Sequence, residues 1–271
     1  MIRKCDLIAL LHFLLHKSLW VSMGFCVLFF LLTLVCRYLE PVLSSDGAFY
    51  LGLVKIWQAA GHYDAIPAAV PRAGWIPAFP LFLIKVLADC GISPEVAGVG
   101  ISMVVGSTLP MLVYLMAQEI QSDKRISLAA SMLMAFNPSM IELACEIQRD
   151  MLYIGLCGWS VFFGLKGLMQ KKLWPWIPAG MLGALSALTR YETFELIPIL
   201  IVTFLIFGFK KVLTWRKIGL QCVVFTVACI LTVFSMIQLM GIQDFVINSY
   251  AKYFHGKMIL LERKNSPMEK K

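Results

Sequence analysis

Long apolar segments without charged side chains recur along the chain, and the shorter segments between them carry most of the Lys, Arg, Asp and Glu. A helix that crosses a lipid bilayer needs about 20 mostly apolar residues. Segments that meet or approach this length cover residues 18–36, 97–117, 126–141, 151–165, 173–189, 196–209 and 218–243. The pattern therefore predicts an all-α membrane protein with about seven transmembrane helices.

The composition supports this prediction. Hydrophobic residues make up 59% of the 271 residues and charged residues only 15%, whereas soluble domains carry about 25% charged residues. The net charge of +8 is distributed among apolar segments, which excludes a nucleic-acid-binding module as well as a soluble or disordered chain. The lipid bilayer is thus the first partner. The eight cysteines contain no CxxC pair and no Cys/His cluster, so we expect neither a zinc site nor a disulfide framework.

The basic residues predict an orientation, because cytoplasmic loops collect Lys and Arg. With a cytoplasmic N-terminus and seven spans, twelve Lys and Arg fall in cytoplasmic segments and six in the outer segments before residue 244. We expect residues 1–243 to form one seven-span module of a multi-pass membrane protein. The polar C-terminal tail, residues 244–271, would then be extracytoplasmic.

Most acidic residues fall at the outer ends of the predicted spans. Asp and Glu contribute little to orientation, so this distribution does not follow from the rule that placed the basic residues. It indicates either a cation or basic reaction partner at the outer face, or outer loops that merely tolerate acidic residues.

The first outer loop, residues 40–97, contains the first candidate site residues. We predict two amphipathic surface helices in it, one over residues 48–60 and one over residues 75–86. Asp46 lies at the start of the first, where it could be the N-cap residue or a functional carboxylate. Arg72 lies at the level of the lipid headgroups, where its guanidinium could bind a phosphate with two donors or neutralise headgroups non-specifically.

Two further charged groups lie at the same predicted face. Asn137-Pro138 predicts a break in the third span, and Glu142, Glu146, Arg149 and Asp150 follow it. Arg149 could form an internal ion pair with Glu142 or Glu146, which would share a helical face. The turn between the fifth and sixth spans carries Arg190 and Glu192, which could belong to a site at this face or could simply form an ion pair with each other.

These motifs together resemble the GT-C superfamily of membrane glycosyltransferases. The likeness is to the branch that contains the protein O-mannosyltransferases and the lipid A aminoarabinose transferases, and it extends over about residues 19–239. The motifs that carry it are Asp-Gly-Ala-Phe-Tyr at 46–50, Arg-Ala-Gly-Trp-Ile-Pro-Ala-Phe-Pro-Leu at 72–81, Asp-Met-Leu-Tyr at 150–153 and Leu-Thr-Arg-Tyr-Glu at 188–192.

The resemblance implies a function. Such enzymes move a sugar from a polyprenyl-phosphate donor to a glycan, lipid or protein acceptor at the extracytoplasmic face. Asp46 would be the general base and Asp150 a second acid of the site, while Arg72 and Arg190 would contact the donor phosphate. The supporting residues would be Tyr50, Glu146, Arg149 and Glu192.

Several alternatives stay open. A divalent metal such as Mg²⁺ or Mn²⁺ could bind Asp46 and Asp150, and no other cofactor is expected. Members of the superfamily usually continue with further spans after the seventh. A truncated, partner-dependent or non-catalytic subunit is therefore an alternative to an enzyme, as is a small lipid or solute transporter.

Overall fold

The computed structural model of the chain describes residues 17–39, 43–63, 65–66, 78–210 and 213–240. All regular structure in these ranges is helical, and a short 3₁₀ helix, Tyr191–Glu195, connects α9 to α10. The helices are α1 (Ser18–Leu39), α2 (Ser45–Ala60), α3 (Ala78–Asp89), α4 (Pro94–Ser107), α5 (Leu109–Gln121), α6 (Lys124–Ala135), α7 (Pro138–Ala144), α8 (Arg149–Gln170), α9 (Trp176–Thr189), α10 (Leu196–Phe209) and α11 (Trp215–Met240). The prediction of an all-α membrane protein is confirmed.

Five segments of the described chain are long and apolar enough to cross a membrane. They are α1, α4 with α5, α8, Tyr191–Phe209 and α11. The pair α6 and α7 makes a sixth if the two helices count as one bent span. Helix α9 has 14 residues, which is shorter than the length of about 20 that a span requires. Each predicted segment contains helix, but the count of seven stays a prediction.

The break in the third predicted span is confirmed at the expected residues. Helices α6 and α7 meet at an angle of 53°. Pro138 is the first residue of α7, and the Asn137 side chain accepts a hydrogen bond from the Met140 backbone N–H at 3.2 Å. A cap and a proline together start a new helix direction. The bend determines the direction in which the chain enters the segment 145–150.

Helix α2 is packed into the protein by one face. Its residues Tyr50, Leu53, Val54 and Trp57 are buried in a cluster that also contains residues of α3 and α4. The helical spacing of the sequence predicts an apolar face of Phe49, Leu53, Ile56, Trp57 and Ala60, but Phe49 is exposed. Both predicted helices of the first outer loop are present as α2 and α3, but the buried face of α2 differs from the predicted one by about one residue.

Close contacts between α8, α9 and α11 form the centre of the second half. A Cβ added at Gly180 of α9 would lie 2.5 Å from the Phe225 carbonyl oxygen of α11. The Ser160 hydroxyl of α8 donates to the Ala179 carbonyl of α9 at 2.7 Å. Small residues allow such backbone approach between membrane helices.

The helix bundle has two chemically distinct ends. At one end the Ser18 and Tyr114 hydroxyls lie 2.7 Å apart, and Gln170 donates to Glu119 at 3.2 Å. The opposite end contains the start of α2, the segment 145–150 and the turn after α9. Every candidate site residue that the structure describes lies at this second end.

Candidate active site

Arg190 lies at the centre of the charged group at this end. Its Nε and Nη2 atoms donate to the two Glu192 carboxylate oxygens at 3.1 and 2.9 Å, and its Nη1 donates to Asp150. The guanidinium also lies over the Tyr153 ring, 5.6 Å from its centroid. Hydrogen bonding to Glu192 raises the pKa of Arg190 above its usual range, with further contributions from the charge of Asp150. Three of its five N–H groups are therefore used within the protein.

The backbone that carries Arg190 is held by two buried hydroxyls. The Ser186 and Thr193 hydroxyls form one hydrogen bond of 2.8 Å, and the Thr193 hydroxyl donates to the Arg190 carbonyl at 2.9 Å. Both side chains are buried. The position of the Arg190 side chain is thus defined both by its backbone turn and by its ion pairs.

Arg149 and Asp150 form the first turn of α8. Among the described residues, Arg149 forms no ion pair, so the alternative in which it pairs with Glu142 or Glu146 is wrong. The reason is that α7 ends at Ala144, which leaves Glu146 outside the helix, where it accepts a hydrogen bond from Gln148. The Arg149 guanidinium remains available to a ligand.

Asp46 is not the N-cap of α2, which corrects one of its two predicted roles. Ser44 has the extended backbone of a cap residue, and its hydroxyl accepts from the Gly47 N–H at 3.2 Å. Asp46 lies inside the first turn, where a negative charge is favourable near the helix N-terminus. Its side chain is exposed, and no hydrogen bond or ion pair from the described part of the chain engages it.

A steric contact joins the start of α2 to the segment that precedes α8. Ile147 is buried between Gly47 of α2 and Gly98 of α4. A Cβ added at Gly47 would lie 3.2 Å from the Ile147 Cβ, and one added at Gly98 would lie 2.7 Å from its Cγ2. Both glycines are needed for this approach, which brings Asp46 to the same side of the protein as Arg149 and Asp150.

The pKa of the buried Tyr50 hydroxyl depends on the charged residues around it. Burial is the main cause that raises its pKa above the usual range. Asp46 and Asp150 raise this pKa further, whereas Arg149 and Arg190 lower it. Four candidate residues from three segments of the chain are therefore close enough to act electrostatically on one hydroxyl group, which stays protonated at neutral pH.

One cavity is lined by a residue of this charged group, and a second is lined by the residues that follow Glu192. A small one of about 10 Å³, about the size of one water molecule, is lined by Tyr50, Gln148 and Arg149 among others. A much larger one of about 780 Å³ lies between α8, α9, α10 and α11 and is lined almost entirely by apolar side chains. Thr193 and Phe194 line it, and both belong to the 3₁₀ helix that follows Arg190.

The sequence model of the family described as dolichyl-phosphate-mannose-protein mannosyltransferase matches residues 76–237, more than half of the chain. The chain belongs to this family. It is therefore a membrane glycosyltransferase of the GT-C type, which confirms the superfamily, while the finer branch stays a prediction. No curated protein and no solved structure matches the chain.

The family match covers part of the predicted site. Glu146, Arg149, Asp150, Arg190 and Glu192 lie within the matched residues of this mannosyltransferase-family protein. The other three predicted residues, Asp46, Tyr50 and Arg72, precede the match. Arg72 also lies outside the described residues, as does the tail 244–271. The roles of all these side chains stay predictions.

The two predicted metal ligands are not equivalent in this family member. Asp150 is ion-paired with Arg190, whereas Asp46 is exposed. In the described ranges, no three His, Cys, Asp or Glu side chains are grouped so that they could hold a metal ion. A divalent metal at Asp46 and Asp150 stays an untested prediction, and no step below depends on it.

Three residues of this glycosyltransferase were not assigned a role from the sequence. Tyr153 lies under the Arg190 guanidinium, Ile147 joins α2 to the start of α8, and Thr193 holds the Arg190 backbone. The spacing of Tyr153, three residues after Asp150 on α8, was a usable signal because such residues share a helix face. The other two contacts depend on tertiary packing.

Proposed function

We propose that the protein transfers a sugar from a polyprenyl-phosphate donor to a nucleophilic acceptor at the extracytoplasmic face of the membrane. One observation carries the proposal. The charged group of Arg149, Asp150, Arg190 and Glu192 is followed directly along the chain by Thr193 and Phe194, which line an apolar cavity with room for a lipid chain. A lipid-linked phosphate is complementary to both parts of this arrangement. Its anionic phosphate would bind the arginines, and its apolar chain would occupy the cavity.

The large cavity supports a lipid-linked donor. Its volume of about 780 Å³ lies within the range of about 300–1,000 Å³ that is typical of ligand cavities. Its lining extends from Thr193 and Phe194 to Leu168 and Trp176 and offers an isoprenoid chain almost no polar groups. A tail bound there would have its phosphate near Arg190.

The positive charges support binding of that phosphate. Arg149 is free of ion pairs in the described structure, and Arg190 retains two N–H groups beyond those bound to Glu192 and Asp150. Guanidinium groups bind phosphate through paired donors of fixed geometry. The sequence predicts Arg72 as a third positively charged residue that contacts the donor phosphate.

The reaction that these groups support is a displacement at the anomeric carbon. The acceptor oxygen forms a bond to that carbon, and the bond from the carbon to the phosphate oxygen breaks. The polyprenyl phosphate leaves with the electron pair and is stabilised by Arg149 and Arg190. The acceptor proton passes to the exposed Asp46 carboxylate, which acts as the general base. Asp150 orients Arg190 through their ion pair.

The substrates can be tested directly with purified protein in detergent. The family description names dolichyl-phosphate mannose and protein, so synthetic polyprenyl-phosphate mannose with a peptide acceptor is the first combination to test. We expect transfer from the lipid-linked sugar and none from a nucleotide sugar. Transfer from the nucleotide sugar would show that the donor class is wrong, whereas no transfer from either would favour a partner-dependent subunit or a transporter.

The face of the membrane is tested separately. Lys171 lies at the opposite end of α8 from Arg149, so a cysteine in its place reports on orientation. In a variant whose native cysteines are replaced, we expect Lys171→Cys to be inaccessible to a membrane-impermeant maleimide in intact cells. Labelling in intact cells would place the proposed site in the cytoplasm.

A further inference from the structure

Two cysteines from distant parts of the chain lie near one helix contact at the site end of the bundle. Cys36 lies in the last turn of α1, and Cys145 directly follows α7. The Cys145 thiol donates to the Thr33 carbonyl of α1 at 3.2 Å. Thr33 and Cys36 are three residues apart and therefore share a face of α1. Cys145 therefore contacts α1 one turn from Cys36, and the structure holds both residues as free thiols. After burial, the Cys36 thiol is the next cause that raises the pKa of Cys145.

We propose that Cys36 and Cys145 form a disulfide in the membrane-inserted protein. The proposal rests on the orientation given under the proposed function, which puts this end of the bundle outside the cytoplasm. Disulfides form and persist in extracytoplasmic compartments and are rare where thiols are kept reduced. The bond would cross-link two segments that are 109 positions apart in the sequence.

The bond requires an oxidant. The two thiols together lose two protons and two electrons as the sulfur–sulfur bond forms. The electrons pass by thiol–disulfide exchange to an extracytoplasmic protein disulfide, which is reduced to a dithiol. Burial raises the pKa of the Cys145 thiol to about 12, so the attacking thiolate is scarce once this residue is packed. We therefore expect oxidation during folding, before the contact closes.

The cross-link would stabilise the geometry of the proposed site. The chain after Cys36 leads to Asp46 in ten residues, and the chain after Cys145 leads to Asp150 in five. The disulfide would thus connect the segment that leads to the proposed base, Asp46, with the segment that leads to Arg149 and Asp150. Three of the other described cysteines provide controls: Cys157 and Cys229 lie within α8 and α11, and Cys90 is exposed after α3.

The experiment isolates the full-length protein from membranes without reductant and blocks free thiols with a maleimide before digestion. Mass spectrometry should detect the peptide pair linked through Cys36 and Cys145, with Cys90 and Cys157 alkylated. Dithiothreitol should release the pair and lower the Tm of the wild type by about 5–10 °C. The Tm of the Cys36→Ser/Cys145→Ser double variant should not respond to dithiothreitol, whereas Cys157→Ser should behave like the wild type.

Two results would overturn the disulfide. One is full alkylation of both cysteines in protein whose outer orientation has been verified with Lys171→Cys. The other is a link that appears only after treatment with copper phenanthroline, which would show that the thiols are close but stay reduced in the cell. The readout does not use sugar transfer. Absence of the link in the wild type would therefore refute the disulfide and leave the proposed function standing.

Discussion

The two acidic residues of the proposed site lie in opposite environments. Asp150 is partly buried at the start of α8 and is bound to Arg190, which is itself held by Glu192 and lies over Tyr153. Asp46 is exposed in the first turn of α2, and its carboxylate forms no ion pair with the described residues. A general base needs an oxygen that is free to accept a proton. We therefore propose that Asp46 accepts the proton and that Asp150 orients the Arg190 guanidinium.

The same contrast applies to the two arginines. Arg190 is held by protein carboxylates, whereas Arg149, which precedes Asp150 in the first turn of α8, has no ionic partner among the described residues. A guanidinium whose donors are already used binds an added phosphate less readily than a free one. Binding of the donor phosphate should therefore depend more on Arg149 than the sequence analysis predicts, since Arg149 has only a supporting role there.

The largest expected effect comes from Asp46→Asn. The amide cannot accept the acceptor proton, so transfer should fall by roughly 10²–10⁴-fold. The Tm and donor binding should stay near the wild-type values because Ser44, not Asp46, caps α2. The measurement is transfer from a polyprenyl-phosphate sugar at matched protein levels. Turnover at the wild-type rate would remove Asp46 from the chemistry and end the contrast with Asp150.

Gly98→Ala tests the packing that brings the two acidic residues together. The added methyl would lie 2.7 Å from the Ile147 Cγ2, and Ile147 cannot retreat because Gly47 contacts it from α2. We expect a loss of about 1–3 kcal/mol in the free energy of unfolding, together with reduced transfer.

Gly100→Ala is the matched control for Gly98→Ala. Gly100 lies on the same helix, and a methyl there meets no atom within 4 Å. Its stability should stay equal to that of the wild type or rise slightly, because alanine restricts the unfolded chain. Equal stability of the two variants would show that the contact between Gly98 and Ile147 is not tight.

Asp150→Asn should have a smaller effect than Asp46→Asn, and of a different kind. It removes the charge opposite Arg190 while Glu192 continues to hold the guanidinium. We expect donor affinity to change by about tenfold or less and stability by about 1 kcal/mol, because the pair is partly exposed to solvent. Donor binding and transfer measured separately decide the result. A loss of turnover as large as that of Asp46→Asn, with donor affinity unchanged, would make Asp150 the base.

The smallest expected effect is that of Ser44→Ala. The alanine removes the acceptor for the Gly47 N–H, which should cost about 1 kcal/mol of stability. Ser44→Asn supplies another cap and should restore the Tm. An unchanged Tm in Ser44→Ala would show that Asp46 can replace Ser44 as the cap of α2. The Asp46 carboxylate would then be free of hydrogen bonds only while Ser44 is present.

The helices were predictable because they depend on local composition. The apolar segments and the break at Asn137-Pro138 are both visible in the sequence and present in the structure. The cap of α2 was not predictable from the sequence. Ser44, Ser45 and Asp46 are all good cap residues, and only the backbone conformation decides between them. The count of seven spans stays a prediction, because α9 has 14 residues and a span requires about 20.

The charged site was predictable only as a set of residues. The spans put Asp150 and Arg190 at the same end of adjacent helices, and the structure brings the two side chains into contact. Their pairing joins residues 40 positions apart. No local pattern could show that Arg190 binds Asp150 in addition to Glu192, or that Arg149 does not pair with Glu146. Such choices depend on how α8 and α9 pack, which glycine contacts determine.

The position of Ile147 between Gly47 and Gly98 has a thermodynamic consequence. The start of α2 cannot move without displacing the residue that leads into Arg149 and Asp150. An acceptor that shifts α2 as it binds would therefore change the affinity of the donor site. By linkage, the donor must then change the affinity for the acceptor by the same factor. The two substrates would then bind with positive or negative cooperativity. The contact of one buried isoleucine with two glycines would set the size of this coupling.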